Sequence, residues 1–136
     1  MTPFALKIVT PDGVAYDGMA EELVVRTITG DMGIMAGHIN AVAPLGMGQA
    51  MVLTEGKKQY AACIGGMVSV NDGTVTLVPT TFEWAADIDV ARAEASRLRA
   101  EKVLQDKNAT GIEITMAEAR LKRALVRSAV AACKHR

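Results

Sequence analysis

The residues in this 136-residue chain best suited to chemistry stand in one short run, Ile88-Asp89-Val90-Ala91-Arg92-Ala93. Asp89 and Arg92 are three apart, so on a helix they share a face, and Arg99 lies two turns beyond Arg92. Further on, Arg123 and Arg127 are four apart. If the two segments pack side by side, these arginines gather near one carboxylate. Guanidinium forks pair bidentately with phosphate oxygens, and a carboxylate accepts from an adenine amino group. The chemistry on offer is therefore that of a nucleotide clamp. The plainer reading of the same spacing is an Asp89–Arg92 surface salt bridge worth at most about 1 kcal/mol, and spacing alone favours it.

Other chemistry is poorly represented. Gly30-Asp31-Met32-Gly33-Ile34-Met35-Ala36-Gly37-His38 has the glycines of a phosphate loop but neither a Gly-Lys-Ser/Thr ending nor a helix pattern after it. It reads as a turn between strands. His38 has no Ser, Cys or acid spaced to form a triad, so it reads as a structural hydrogen-bonding residue. No zinc, redox or nucleophile-elbow motif occurs, and Cys63 and Cys133 fall in different parts of the chain. Neither a catalytic residue nor a metal site is predicted. Cys63, in an apolar run, reads as a buried small hydrophobe, and free thiols suit a reducing compartment.

The elements that must position the arginines follow from a change of character near Glu83–Asp87. All four prolines and eleven of the twelve glycines precede it, and the remainder is dense in Ala, Arg, Lys and Glu. Pro and Gly punctuate strands and turns, while Ala, Leu, Arg and Glu favour helix. Residues 1–84 thus form a β module and residues 85–136 a helical one. Strands are predicted at Phe4–Val9, Val14–Tyr16, Leu23–Thr27, Ile34–Ala36, Ala41–Ala43, Gln49–Thr54, Gln59–Ile64, Met67–Val70 and Thr74–Val78. Glu55-Gly56-Lys57-Lys58 and Asn71-Asp72-Gly73 mark hairpins, and Gly65-Gly66 breaks an apolar run. Short strands at this spacing predict a sandwich or barrel. A first helix is predicted from Asp87, its cap, to Gln105, with an apolar face of Ile88, Ala91, Ala95 and Leu98 below Trp84. A second is predicted from Met116 to Ala132. Thr115 and Glu118 would form its capping box, and Ala117, Leu121, Ala124 or Leu125, Ser128 and Ala132 its inner stripe. Both stripes are rich in alanine, which buries little area, so an antiparallel hairpin here packs modestly and opens easily.

Charge is divided the same way. The net charge is zero, but basic residues gather at the end: Arg120, Lys122, Arg123, Arg127, Lys134 and Arg136 follow Thr115, against Glu118. A basic helix fits a nucleotide, an acidic protein surface, an anionic membrane or nucleic acid, or is simply a solvated face. A nucleic-acid-binding module is the alternative function, but few aromatics and a neutral chain argue against it. No stretch approaches a membrane span, and the N-terminus lacks the pattern of a signal peptide.

The order and spacing of Gly30-Asp31-Met32-Gly33-Ile34-Met35-Ala36-Gly37-His38, Ile64-Gly65-Gly66-Met67-Val68-Ser69-Val70, Glu83 and Ile88-Asp89-Val90-Ala91-Arg92-Ala93 resemble the ε subunit of bacterial F-type ATP synthase. The resemblance runs from about Phe4 to Arg127. It implies a flattened ten-stranded β-sandwich followed by an antiparallel two-helix hairpin. It implies a non-catalytic regulatory subunit of a proton- or sodium-translocating complex, peripheral on the cytoplasmic side of the cell membrane. The implied partners are the γ subunit, the ring of c subunits and, with the hairpin extended to inhibit ATP hydrolysis, the α and β subunits. No cofactor is required. ATP is the implied regulatory ligand, and by position its site would comprise Glu83, Ile88, Asp89, Arg92, Arg99, Arg123 and Arg127.

Overall fold

Phe4, Leu6 and Ile8 are buried while Ala5 and Lys7 are exposed, so the first strand presents one face to a core. The strands are β1 (Phe4–Thr10), β2 (Gly13–Ala20), β3 (Glu22–Thr27), β4 (Gly30–Ile34), β5 (Ala41–Pro44), β6 (Met47–Thr54), β7 (Lys57–Asn71) and β8 (Thr74–Trp84), and the same period is plain in β3 and the first half of β8. A 3-10 turn, Ala85–Asp87, then leads to α1 (Val90–Gln105), α2 (Gly111–Ala131) and a closing 3-10 turn, Ala132–His135. The computed structural model describes residues 2–135. Arg136 of the C-terminal basic run, and the side chain of Lys134, lie outside the described residues.

The strands form one sheet in the order β2-β1-β8-β7-β6-β3-β4, with β5 beside β7. Among the described residues only β1 and β8 run parallel. The core joins Phe4, Leu6 and Ile8 of β1 to Leu23 and Val25 of β3 and Ile34 of β4. Strands far apart along the sheet therefore meet face to face: the sheet folds over itself as a sandwich. Among the described residues eight strands are present rather than ten. Two are long: β7 has 15 residues and β8 has 11. β7 pairs with β6 up to Ile64 and with β5 from Met67, so one strand serves where two were predicted. Gly65 and Gly66 interrupt its extended backbone without ending it, at φ 68° and 94°. A side chain at Gly66 would fall onto the Val78 carbonyl, so glycine is required by space as well as by φ.

Both hairpin signals hold. Glu55-Gly56 and Asp72-Gly73 have positive φ at both central residues, the geometry that matches strand twist. The fourth strand is displaced, however. It begins at Gly30 rather than Ile34, because Thr27 pairs with Gly30 across a two-residue turn, Ile28-Thr29, that has no Gly, Asn or Pro to announce it.

The helices differ from expectation at their starts. Asp87 closes the 3-10 turn, and Asp89 caps α1 instead, accepting from the Arg92 backbone N–H at 3.0 Å. The buried residues of α1 are Ala93 and Ala100, whereas Ala91 and Leu98 are exposed. The predicted stripe was anchored on Trp84 and Ile88, which precede the helix, and so was out of phase. α2 starts at Gly111, not Met116. Thr110 caps it, accepting from Glu113 N–H at 3.2 Å while its hydroxyl donates to the Glu113 carboxylate at 3.1 Å. Thr115 lies inside the helix, donating to the Gly111 carbonyl. Ala117 and Ala124 are buried as predicted and Leu121 and Ser128 are half-buried, but Leu125 and Ala132 are exposed. α2 docks on the sandwich through a small cluster of Ala62, Ala85, Ile88, Val130 and Ala131.

Candidate functional site

The α-helices and the sandwich enclose a cleft of about 730 Å³, within the range that holds a small-molecule ligand. Its walls follow from helical periodicity. Ser96, Arg99, Ala100 and Val103 recur at three and four on α1. Glu113, Met116, Ala117, Arg120, Arg123, Ala124 and Arg127 do so on α2. The alanines leave the space, and the arginines stand at its edges. Ile64, Thr81 and Glu83 close it from β7 and β8.

Four guanidinium groups and two carboxylates, Glu83 and Glu113, line this cleft, so its balance is cationic. One pair ties helix to sandwich. Arg127 Nε stands 2.7 Å from Glu83 Oε1, and Arg127 Nη2 donates to Glu83 Oε2 at 3.2 Å. The two side chains are 20% and 27% exposed, which places the pair beyond the weak class of fully solvated ion pairs. Among the described residues Arg99, Arg120 and Arg123 have no carboxylate at ion-pairing distance. Arg97, by contrast, is committed elsewhere on α1. It pairs with Glu94 and with Glu101, the latter at 2.6 Å, and its hydrogen bond holds the Glu94 carboxyl below the usual carboxylate range.

The cleft brings together Glu83, Arg99, Arg123 and Arg127 of the residues singled out by sequence. Ile88, Asp89 and Arg92 do not line it. Ile88 is 6% exposed within the docking cluster. Asp89 is occupied as the helix cap, and no Asp89–Arg92 side-chain pair forms among the described residues. Arg92 stands one turn before Ser96 on the same side of α1, at the cleft's N-terminal margin. Sequence reasoning missed Arg120, Glu113, Ser96 and Thr81. A signal for Arg120 existed: it lies three residues after Ala117 and four before Ala124, both assigned to the inner face. His38 takes no part; its Nδ1 lies 2.7 Å from the Ile39 carbonyl oxygen.

Comparison with known proteins bears on what such an arrangement is for. The family profile described as ATP synthase, Delta/Epsilon chain, beta-sandwich domain matches residues 3–85. The profile described as ATP synthase, Delta/Epsilon chain, long alpha-helix domain matches residues 86–132. The chain belongs to the ATP synthase epsilon-chain family. Within that family, the ATP synthase epsilon chain of Ruminococcus albus is 39% identical over 132 residues, covering 96% of this chain and 98% of its own. The epsilon chain of Bacillus cytotoxicus is 41% identical over 127 residues, covering 93% and 95%. The fold agrees with a chain in the cryo-EM structure of Euglena gracilis mitochondrial ATP synthase. That match has a TM-score of 0.83 at 24% identity, over 95% of this chain and 81% of that one. A chain of the Tetrahymena thermophila mitochondrial ATP synthase central stalk matches with a TM-score of 0.61 at 14% identity, covering 93% and 95%. Among the described residues of this epsilon-family chain, no helix is long and apolar enough to cross a membrane.

Proposed function

We propose that this epsilon-family chain works as a non-catalytic rotor subunit whose helical hairpin is a brake that ATP holds closed. The β-sandwich, residues 1–84, joins the γ subunit to the c-ring at the cytoplasmic face of the membrane. The hairpin, residues 85–136, lies folded against it or extends toward the α and β subunits to inhibit ATP hydrolysis. One observation carries the reading: the cationic cleft is walled by both helices and by the sandwich at once. An anionic ligand there contacts both modules and binds only when the hairpin is folded.

The energetics suit a switch. The docking cluster has few side chains and most are small, so the closed form is held modestly. A ligand specific for that form adds RT ln(1 + [L]/Kd), about 2.7 kcal/mol at a hundredfold excess over Kd, enough to reverse a modest bias. Glu83, Ile88, Asp89, Arg92, Arg99, Arg123 and Arg127 are the proposed ATP-site residues. Of these, Ile88 and Asp89 act by setting the start of α1, and Arg92 by reaching in from the cleft's margin. The nucleic-acid alternative needs the basic stripe of α2 displayed outward, whereas docking turns Arg123 and Arg127 toward the sandwich.

ATP titration of the isolated chain tests this. Trp84, at the junction of the modules, is its only tryptophan and reports the transition. Calorimetry should show saturable ATP binding, weakened roughly tenfold or more in Arg123→Ala and measurably in Arg92→Ala, with the sandwich still folded. Unchanged affinity in both variants would sink the site assignment.

A further inference from the structure

Arg120 is a cleft residue with no role in the reading above. It lies on the inward stripe of α2 between Ala117 and Ala124, three residues before Arg123 and seven before Arg127. These three arginines form a ladder about 10 Å long on one side of the helix, and Arg99 faces it from α1. The members are not equivalent. Arg127 is already neutralised by Glu83. The only other lining carboxylate, Glu113, accepts from the Thr110 hydroxyl in the helix cap and offsets only one of the three remaining guanidinium charges. The charge left for a ligand therefore comes from Arg99, Arg120 and Arg123. Arg123 is half-buried, while Arg99 and Arg120 are exposed at the mouth.

We propose that Arg120 is a specificity-determining residue that makes this cleft select its ligand by phosphate number. The inference rests on the reading that a nucleotide occupies the cleft, and it assigns the class: a nucleoside polyphosphate over a monophosphate. A single phosphate satisfies at most one or two guanidinium forks. A third, separated from Arg123 by about 4.5 Å along the helix axis, is engaged only when the anion is longer. The outer phosphates carry most of the charge and retain part of their hydration, so they suit the mouth, where Arg120 is.

Calorimetry on the full chain with ATP, ADP and AMP at fixed ionic strength tests this. Lys122→Gln serves as a control of equal charge change, because Lys122 lines a different depression, with Arg26 and Ile28. Arg120→Gln should lower ATP affinity about tenfold and AMP affinity less than about twofold, collapsing the ATP/AMP ratio. Arg120→Lys should restore part of the loss, and Lys122→Gln should change neither ligand. A wild-type ATP/AMP ratio in folded Arg120→Gln overturns the assignment while leaving ATP binding intact, as does an equal loss in Lys122→Gln. A wild-type chain that binds no ATP brings down the nucleotide reading, and this one with it.

Discussion

A thiol reacts through its thiolate, so burial protects it twice, by denying access and by suppressing ionisation. Cys63, on β7 opposite Phe82, is 3% exposed, and burial pushes its pKa from an ordinary 9.0 up to about 12. It should resist iodoacetamide at pH 8 in the native chain and react on unfolding. The raised pKa also has a sign for stability. Below about pH 9 both states keep the proton and the contribution is complete; it is lost as pH rises from about 9 toward about 12, because only the unfolded thiol ionises readily. Denaturant midpoints should therefore fall more steeply above pH 9 in the wild type than in Cys63→Ala, and parallel profiles would refute the shift. Burial at this position was legible from the apolar run around it. The fate of Arg127 was not, since its partner Glu83 is 44 positions away in the chain.

Helix starts show what a local pattern decides and where it misleads. Thr115-x-x-Glu118 and Thr110-x-x-Glu113 both fit a capping box. The chain uses the earlier one, which adds more than a turn to α2 and brings Glu113 and Met116 to the cleft. Thr110→Ala should cost about 1 kcal/mol of hairpin stability, and Thr115→Ala only a few tenths, because Thr115 merely bonds back to Gly111. Chemical denaturation followed by helical circular dichroism would measure both; a larger loss in Thr115→Ala would contradict the cap. Gly111 had read as part of a turn, but with no side chain within reach of it, a first-turn glycine is tolerated. The phase of α1 was misread for a related reason. The apolar period runs through Ile88 in the sequence, whereas the 3-10 turn and Asp89 reset the helix before Val90.

At the scale of the whole molecule the two modules are held unequally. The sandwich core joins side chains from β1, β2, β3, β4, β6, β7 and β8, and its floor includes Leu6, Ile8, Leu23, Ile34 and Leu77, each fully buried. The hairpin is held by a few small residues, the Glu83–Arg127 pair and a Cys133 thiol donating to Gln49 at 3.3 Å. Hydrogen exchange should therefore be faster in α1 and α2 than in β7 and β8, and saturating ATP should slow the helices selectively. Equal protection in both modules without ligand would count against a detachable brake.

The division into a strand module and a helix module, the two Gly-containing hairpin turns and the alternation of β1 were determined by sequence alone. They depend on φ restrictions and on periods of two and near four, which act between neighbours. Family membership was legible for the same reason, because its motifs keep their order and spacing along the chain. Only the tertiary structure decided that β7 and β8 run unbroken across the sandwich, which set of residues α1 buries, and which arginines share a cleft. Those outcomes depend on contacts between residues distant in sequence. The same long-range packing pairs Arg127 with Glu83 and thereby leaves Arg99, Arg120 and Arg123 as the unneutralised charge of the site.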